Sequence, residues 1–358
     1  MENNNGIQEK PLIYDLDLQD FERLVASWGQ PAYRARQIWH ALYQNLWNDP
    51  HEFTTLPLEL REKLAQTFHF SSLEAVRFID SSDGETRKTL FHLSDSQAIE
   101  AVLMRYSRRR TLCISTQAGC AMGCVFCATG QMGFRRNLSS GEIVEQVLFY
   151  ERQLREQEER VTNVVIMGMG EPFHNYQATL EAIERLNHSQ GFNFGARRFT
   201  VSTVGLVPAI RRFTAENNQV NLAVSLHAAD DELRTSMLPI NNKYPLDELF
   251  EACLDYVNHT HRRITFEWAL IHNVNDTDEQ AEKLIQRLQP FIQNGSALCH
   301  VNVIPLNPTE GYEGQATTQE RAQAFQAKLE HHGIPCTIRV RRGIDIQAGC
   351  GQLAIQET

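Results

Sequence analysis

From about residue 112 onward the chain alternates short apolar segments with long amphipathic ones, and no other feature narrows its possible folds as much. The apolar segments fall at 112–116, 163–167, 199–202, 222–226, 264–270, 301–305 and 337–340. Between them, apolar residues recur at helical spacing over 140–158, 176–187, 207–216, 246–259, 276–293 and 318–332. Helices of that length can carry a chain from one parallel strand to the next, so the class is α/β. Six βα units are too few to close an eight-stranded barrel. The pattern therefore predicts an incomplete (βα)6 TIM-like barrel, with ligand contacts at the C-terminal ends of its strands.

Upstream the periodicity is different. Three helical patterns at 16–28, 32–46 and 58–67, with Pro31 before the second and Pro57 at the start of the third, suggest a small helical module. Residues 73–113 read as strands around a Ser82-Asp83-Gly84 turn. The expected division is thus a helical module at 1–70, a β-rich connector at 71–110 and the partial barrel at 111–358, with a boundary near Arg110.

A net charge of −10 excludes a uniformly basic RNA-coating protein, and 42% hydrophobic with 22% charged residues excludes collagen-like, disordered and membrane-spanning classes. Residues 1–12 have neither the apolar centre of a signal peptide nor the arginines of a transit peptide. Eight cysteines without an export signal point to a reducing cytoplasm, where thiols serve as ligands or reactants.

Three of those cysteines carry the strongest signal. Cys120, Cys124 and Cys127 form C-x3-C-x2-C directly after the first barrel strand, whereas composition alone would yield about 0.004 such triplets. Three packed core cysteines, or zinc, would be the plainer readings, but structural zinc usually takes four protein ligands. Three thiolates suit a cubane with one open iron, where a small molecule can bind. Gly168-Met169-Gly170-Glu171-Pro172 follows the second strand, a turn where glycine permits close backbone approach and a carboxylate can meet an ammonium group. Ser202 ends the third strand, Ser225-Leu226-His227 the fourth, and Asn307 lies just past the sixth. Singly, these read as turn residues and a satisfied structural histidine; their shared location favours a ligand site. Cys113 precedes the triplet on the same strand, and Cys350 sits in a glycine-punctuated segment after the last one.

The triplet, with Phe126 before its third cysteine, resembles the radical S-adenosylmethionine (SAM) superfamily, whose open iron chelates SAM. With Cys113, the Gly-Met-Gly-Glu-Pro turn, the Ser-Leu-His strand end, Met237-Leu238-Pro239-Ile240-Asn241 and the terminal Ala348-Gly349-Cys350-Gly351-Gln352-Leu353, the chain closely resembles the RlmN family of RNA adenine C2 methyltransferases. The resemblance covers nearly the whole chain, including the N-terminal module as an RNA-binding accessory. It implies a [4Fe-4S] cluster on Cys120, Cys124 and Cys127, and SAM contacts from Gly170, Glu171, Ser202, Ser225, Leu226, His227 and Asn307. The implied substrates are an adenosine in the peptidyl-transferase region of 23S rRNA and one beside the anticodon in certain tRNAs. It implies two SAM per turnover: one methylates Cys350, and the other is cleaved to a deoxyadenosyl radical that abstracts hydrogen from the resulting thioether. The methylene radical adds to adenine C2, a carbon too electron-poor for ordinary attack on SAM. Glu100 would accept the C2 proton and Cys113 would release the adduct through a transient disulfide with Cys350. A low-potential electron donor such as flavodoxin, no membrane, a monomer and a cytoplasmic location complete the expectation.

Two alternatives stand beside it. The related C8 adenine methyltransferases of antibiotic resistance share the cluster and both cysteines, and Pro172, in place of alanine, sides with C2. A non-enzymatic iron-sulfur or zinc protein that binds RNA would explain the triplet but not the Gly-Glu turn, the Ser-Leu-His end or Cys350. For RNA contact the sequence offers Arg105 with Arg108-Arg109-Arg110, Arg135-Arg136, Arg197-Arg198, Arg211-Arg212, and Arg339 with Arg341-Arg342, each of which alone reads as solvated surface.

Overall fold

The computed structural model describes residues 10–293 and 295–354, so most of the 1–12 segment lies outside the described residues. Ten strands of the described residues form one sheet whose spatial order follows the sequence: β1 (Leu73–Asp80), β2 (Thr86–Leu93), β3 (Ala98–Arg105), β4 (Arg110–Cys113), β5 (Asn163–Ile166), β6 (Phe199–Thr203), β7 (Asn221–Ser225), β8 (Ile264–Leu270), β9 (Cys299–Pro305) and β10 (Cys336–Ile338). From β4 to β10 every pairing is parallel, and β10 is left as an edge. The result is an open, incomplete barrel with six βα units.

Strands β1 to β4 pair antiparallel, with Val102 opposite Cys113 and Leu103 opposite Leu112. The residues read as a connector are therefore hydrogen-bonded straight onto the barrel, and Arg110 lies inside a paired strand. The tight turn at Gly84 (φ +69°) returns β1 into β2.

Helices α1 (Leu18–Ser27), α2 (Tyr33–Tyr43) and α3 (Leu58–Thr67) form the N-terminal module, and α4 (Ser140–Arg155), α5 (Tyr176–Asn187), α6 (Val207–Ala215), α7 (Leu246–Thr260), α8 (Asp278–Leu288) and α9 (Gln319–His331) follow successive barrel strands. Their starts are set locally. Ser139 and Glu142 make a reciprocal capping box at α4, and Thr277 and Thr318 accept backbone N–H bonds at the heads of α8 and α9. The module docks on α4 and α5 through polar bonds: Gly141 N–H donates to Asp15 Oδ1 at 2.7 Å, and Arg152 donates to the Leu46 carbonyl and the Tyr14 hydroxyl. Its apolar face, with Phe21, Val25, Ile38, Trp39 and Leu42, joins the same core as the barrel helices. Among the described residues no helix is long and apolar enough to cross a membrane.

Strand alternation decides what faces inside. Val165 on β5 and Met167 just past its end, Ser202 on β6, Ser225 on β7, Glu267 and Ala269 on β8 and Ile304 on β9 all line a cavity of about 260 Å³.

Candidate active site

The cluster loop starts where β4 ends. Cys120, Cys124 and Cys127 all line the cavity, with Phe126 packed edge-on to His227 at 4.9 Å. Burial pushes all three thiols up, Cys120 to about 12, and Cys124 is raised further by its two neighbours. Gathering three thiols that repel one another when ionised is unfavourable unless a cation joins them. Among the described residues no three Cys, His, Asp or Glu side chains converge on one point as a single metal ion requires. Three thiols on one short loop suit an iron-sulfur cluster with one open iron better than structural zinc, which usually takes four protein ligands. Arg234, fully buried, stands behind the loop, donating to the carbonyls of Val204 and Leu226 and to Asn241 Oδ1. Burial lowers it only to about 10, so it stays a cation close to Cys124. Asn241 belongs to the Met-Leu-Pro-Ile-Asn segment singled out in the sequence; its guanidinium partner had no motif to mark it.

The glycine turn is dictated by close approach. A Cβ at Gly168 would lie 2.7 Å from the Ile114 carbonyl oxygen, and one at Gly170, where φ is +102°, 2.6 Å from Gln117 Cβ. Glu171 is buried and lines the cavity, accepting backbone N–H bonds from Phe173 at 3.0 Å and Val204 at 2.8 Å. Burial outweighs those bonds and raises its pKa to about 7, so a bound ammonium group would draw it into the carboxylate form. Ser202 and Ser225 stand side by side, hydroxyls 3.4 Å apart. His227 has φ +61° and its Nδ1 accepts from the Ala269 N–H at 2.8 Å. A backbone amide can only donate, so the proton is on Nε2; burial, with Arg234 nearby, lowers the pKa to about 3 and keeps the ring neutral. Leu226 is not brought to the site. Its side chain belongs to the outer core, because alternation turns it away from Ser225, and its N–H and carbonyl are bonded to Glu267 and Arg234.

The C-terminal segment returns across the cavity mouth. Asn307 Nδ2 donates to the Cys350 carbonyl at 3.0 Å, while its Oδ1 is buried without a partner and free to accept from a ligand amino group. Ala128 N–H donates to the Gly351 carbonyl and Thr129 Oγ1 to the Leu353 carbonyl, tying this segment to the cluster loop. Cys350 lines the cavity, and burial by the surrounding protein pushes its thiol up to about 12. After burial, Glu267, Cys113 and Cys127 each add to the negative potential felt there. Cys113, which lines the same cavity, is pushed to about 12 by burial as well. All eight cysteines are free thiols, so no Cys113–Cys350 bond is present in this state.

Glu100 departs from the expected placement. It shares the inward face of β3 with Val102 and Met104, which line the cavity, but it is not among the lining residues. Its carboxylate pairs with Lys88 at 3.0 Å, both side chains 5% exposed, behind the segment carrying Cys350. Lys88 also donates to the Gln347 carbonyl, and the Ala354 backbone bonds Glu100. A lysine inside β2 carries no local signal of this role.

Fold and cavity together define a class: a partial barrel with a three-cysteine loop at the C-terminal ends of its strands is a radical SAM protein, and residues 114–286 match the radical SAM superfamily model. Residues 13–69 match the ribosomal RNA large subunit methyltransferase N-terminal domain. The chain is 48% identical over 351 residues to a probable dual-specificity RNA methyltransferase RlmN of Chloroflexus aurantiacus, covering 97% of this chain and 93% of that one. It is 48% identical to dual-specificity RNA methyltransferase RlmN 1 of Myxococcus xanthus, covering 95% and 93%. A crystal structure of a radical SAM methyltransferase from Sphaerobacter thermophilus superposes with a TM-score of 0.92 at 50% identity, covering 96% of this chain and 99% of that one. The chain belongs to the RlmN family of radical SAM RNA methyltransferases.

Proposed function

We propose that this protein methylates C2 of an adenosine in the peptidyl-transferase region of 23S rRNA and of an anticodon-adjacent adenosine in tRNAs. The observation that carries the reading is the convergence of Cys350, Cys113 and the three-cysteine loop on one cavity. Cys120, Cys124 and Cys127 hold a [4Fe-4S] cluster, and Gly170, Glu171, Ser202, Ser225, His227 and Asn307 hold SAM. When bound, the cluster and SAM supply an electron, a methyl group and a radical able to abstract hydrogen.

The chain's own residues do the rest. Glu171 and Asn307 Oδ1 accept from the amino groups of the ligand, and the Nε2–H of neutral His227 donates. Cys350, whose thiol burial holds protonated, becomes a nucleophile when a cationic sulfonium in the cavity favours its thiolate. Asn307, Ala128 and Thr129 keep its loop facing inward. Cys113 stands on the strand leading to the cluster loop, where it can form the transient disulfide that frees the product. Glu100 takes the proton from C2 once the segment covering it shifts. The helical module at 1–70 is an RNA-binding accessory, and the protein works as a cytoplasmic monomer supplied by a low-potential donor such as flavodoxin.

Mass spectrometry of nucleosides from 23S rRNA and tRNA, treated anaerobically with SAM, reductant and this protein, tests the assignment. The expected product is 2-methyladenosine, absent with Cys350→Ala. A product of 8-methyladenosine, or methylation surviving Cys350→Ala, overturns it.

A further inference from the structure

The reaction cavity occupies only the upper half of the barrel. Below it, the inward positions nearest the N-terminal ends of β5 to β9 are Asn163, Thr200, Asn221, Thr265 and His300. In a filled barrel these positions would carry branched apolar side chains. Here every one is polar, and they surround a second cavity of about 700 Å³. Met104, Tyr106, Val165, Met167, Glu267 and Arg339 line both cavities, so the two adjoin.

The rim of that mouth is cationic. Arg109 precedes β4, Arg197 precedes β6, and Arg262 and Arg263 precede β8, so four arginines stand at the N-terminal ends, while Arg339, after β10, lies deeper and lines both cavities; all five line the lower one. Among the described residues none of the five is in an ion pair, whereas Arg110, Arg136, Arg211 and Arg287 are each paired with carboxylates. Neutral groups orient two of them: Gln219 Oε1 accepts from Arg197 at 3.0 Å and from Arg262 at 3.1 Å, and Asn221 Oδ1 accepts from Arg262 at 2.7 Å. Arg109 lies over the Tyr106 ring, 5.0 Å from its centroid. Among the described residues the only carboxylate lining this cavity is Glu267, which is buried and bonded by Asn302 at 2.9 Å. In a chain of net charge −10, a concentration of uncompensated guanidinium groups at one opening is a built anion site.

We propose that the N-terminal mouth of the barrel holds the phosphate backbone of the RNA strand whose adenine enters the reaction cavity. The inference rests on the RNA methyltransferase function proposed for this chain. Arginine forks suit phosphate oxygens, and the adjoining cavities give an unstacked base a route from the mouth to the cysteines. An acidic protein donor is the weaker fit, because the cluster loop lies at the opposite ends of the strands.

The test measures affinity for a tRNA anticodon stem-loop against salt concentration, for the holoprotein and for R197Q/R262Q/R263Q. Every arginine–phosphate pairing abolished on a single strand lowers the slope of log affinity against log salt by about 0.7, so the triple variant should have a slope smaller by about 2 and bind more weakly. R197K/R262K/R263K, which restores the charges, should recover most of the slope, and R211Q/R287Q, on paired arginines elsewhere, should keep all of it. An unchanged slope in the glutamine variant overturns the proposal. So does a variant with normal RNA affinity that loses SAM cleavage driven by a protein donor but not by dithionite, which would assign the mouth to that donor. Failure of the unmodified holoprotein to methylate RNA would instead sink the functional reading on which the inference stands.

Discussion

Replacing Lys88 by methionine keeps the stem's volume but strands the Glu100 carboxylate between β3 and the C-terminal segment. Both partners of this pair are 5% exposed, and one Glu100 oxygen already lacks a hydrogen bond. Removing one member of a buried pair typically costs about 3–5 kcal/mol, whereas replacing both by apolar groups is close to neutral. Protonation moderates the single loss. Burial already raises the Glu100 pKa above 4.5 against the lowering influence of Lys88, so deleting the lysine raises it further. The sign follows: a carboxyl with a raised folded pKa binds more protons folded than unfolded, so its contribution is intact below about pH 4.5 and is lost as pH climbs through the folded value, by up to about 1.4 kcal/mol per unit. Lys88→Met should therefore cost about 3 kcal/mol near pH 8 and distinctly less near pH 5. Anaerobic urea titrations followed by tryptophan fluorescence, on this variant, Glu100→Leu and the double variant, read the cycle. A single-variant cost below about 1 kcal/mol near pH 8, or a double variant weaker than Lys88→Met, would refute the reasoning.

Three other substitutions probe the site directly. Cys124→Ala removes one of three cluster ligands, so anaerobically reconstituted protein should lose its iron absorbance near ~400 nm and its conversion of SAM to deoxyadenosine; undiminished cleavage would remove the cluster from this loop. Cys113→Ala should still methylate Cys350 yet stall with RNA attached, giving a nuclease-sensitive gel shift absent from Cys350→Ala; free turnover without adduct would pass the resolving role to another group. Gly170→Ala places a Cβ 2.6 Å from Gln117 at a φ of +102°, a strain of roughly 1–3 kcal/mol, and should weaken SAM binding in calorimetry while Gly84→Ala, whose Cβ would meet nothing within 4 Å, leaves it unaltered.

Much of this protein was determined by the sequence alone. Period-3.6 and period-2 patterns place α3 and α5 at their observed limits and each barrel strand within a few residues, because local geometry sets both the periodicity and the caps. The cysteine spacing points to an iron-sulfur site with one open iron before any coordinates, since cluster ligation is a local demand, and with the glycine turn and the C-terminal cysteine it carries the resemblance that implies radical SAM chemistry. Tertiary structure decided what alternation cannot resolve when a segment is apolar on both faces. It turned Ser225 inward and Leu226 into the outer core, and it joined the 71–110 strands to the barrel through the pairing of Val102 with Cys113. It also set Glu100 against Lys88 and brought Cys350 across the cavity to Asn307, 43 positions away in the chain. The arginine mouth belongs to the same category. Arg109, Arg197, Arg262 and Arg263 lie scattered among ordinary surface charges in the sequence, and only closure of parallel strands, each with its N-terminal end at the same side, gathers them around one opening.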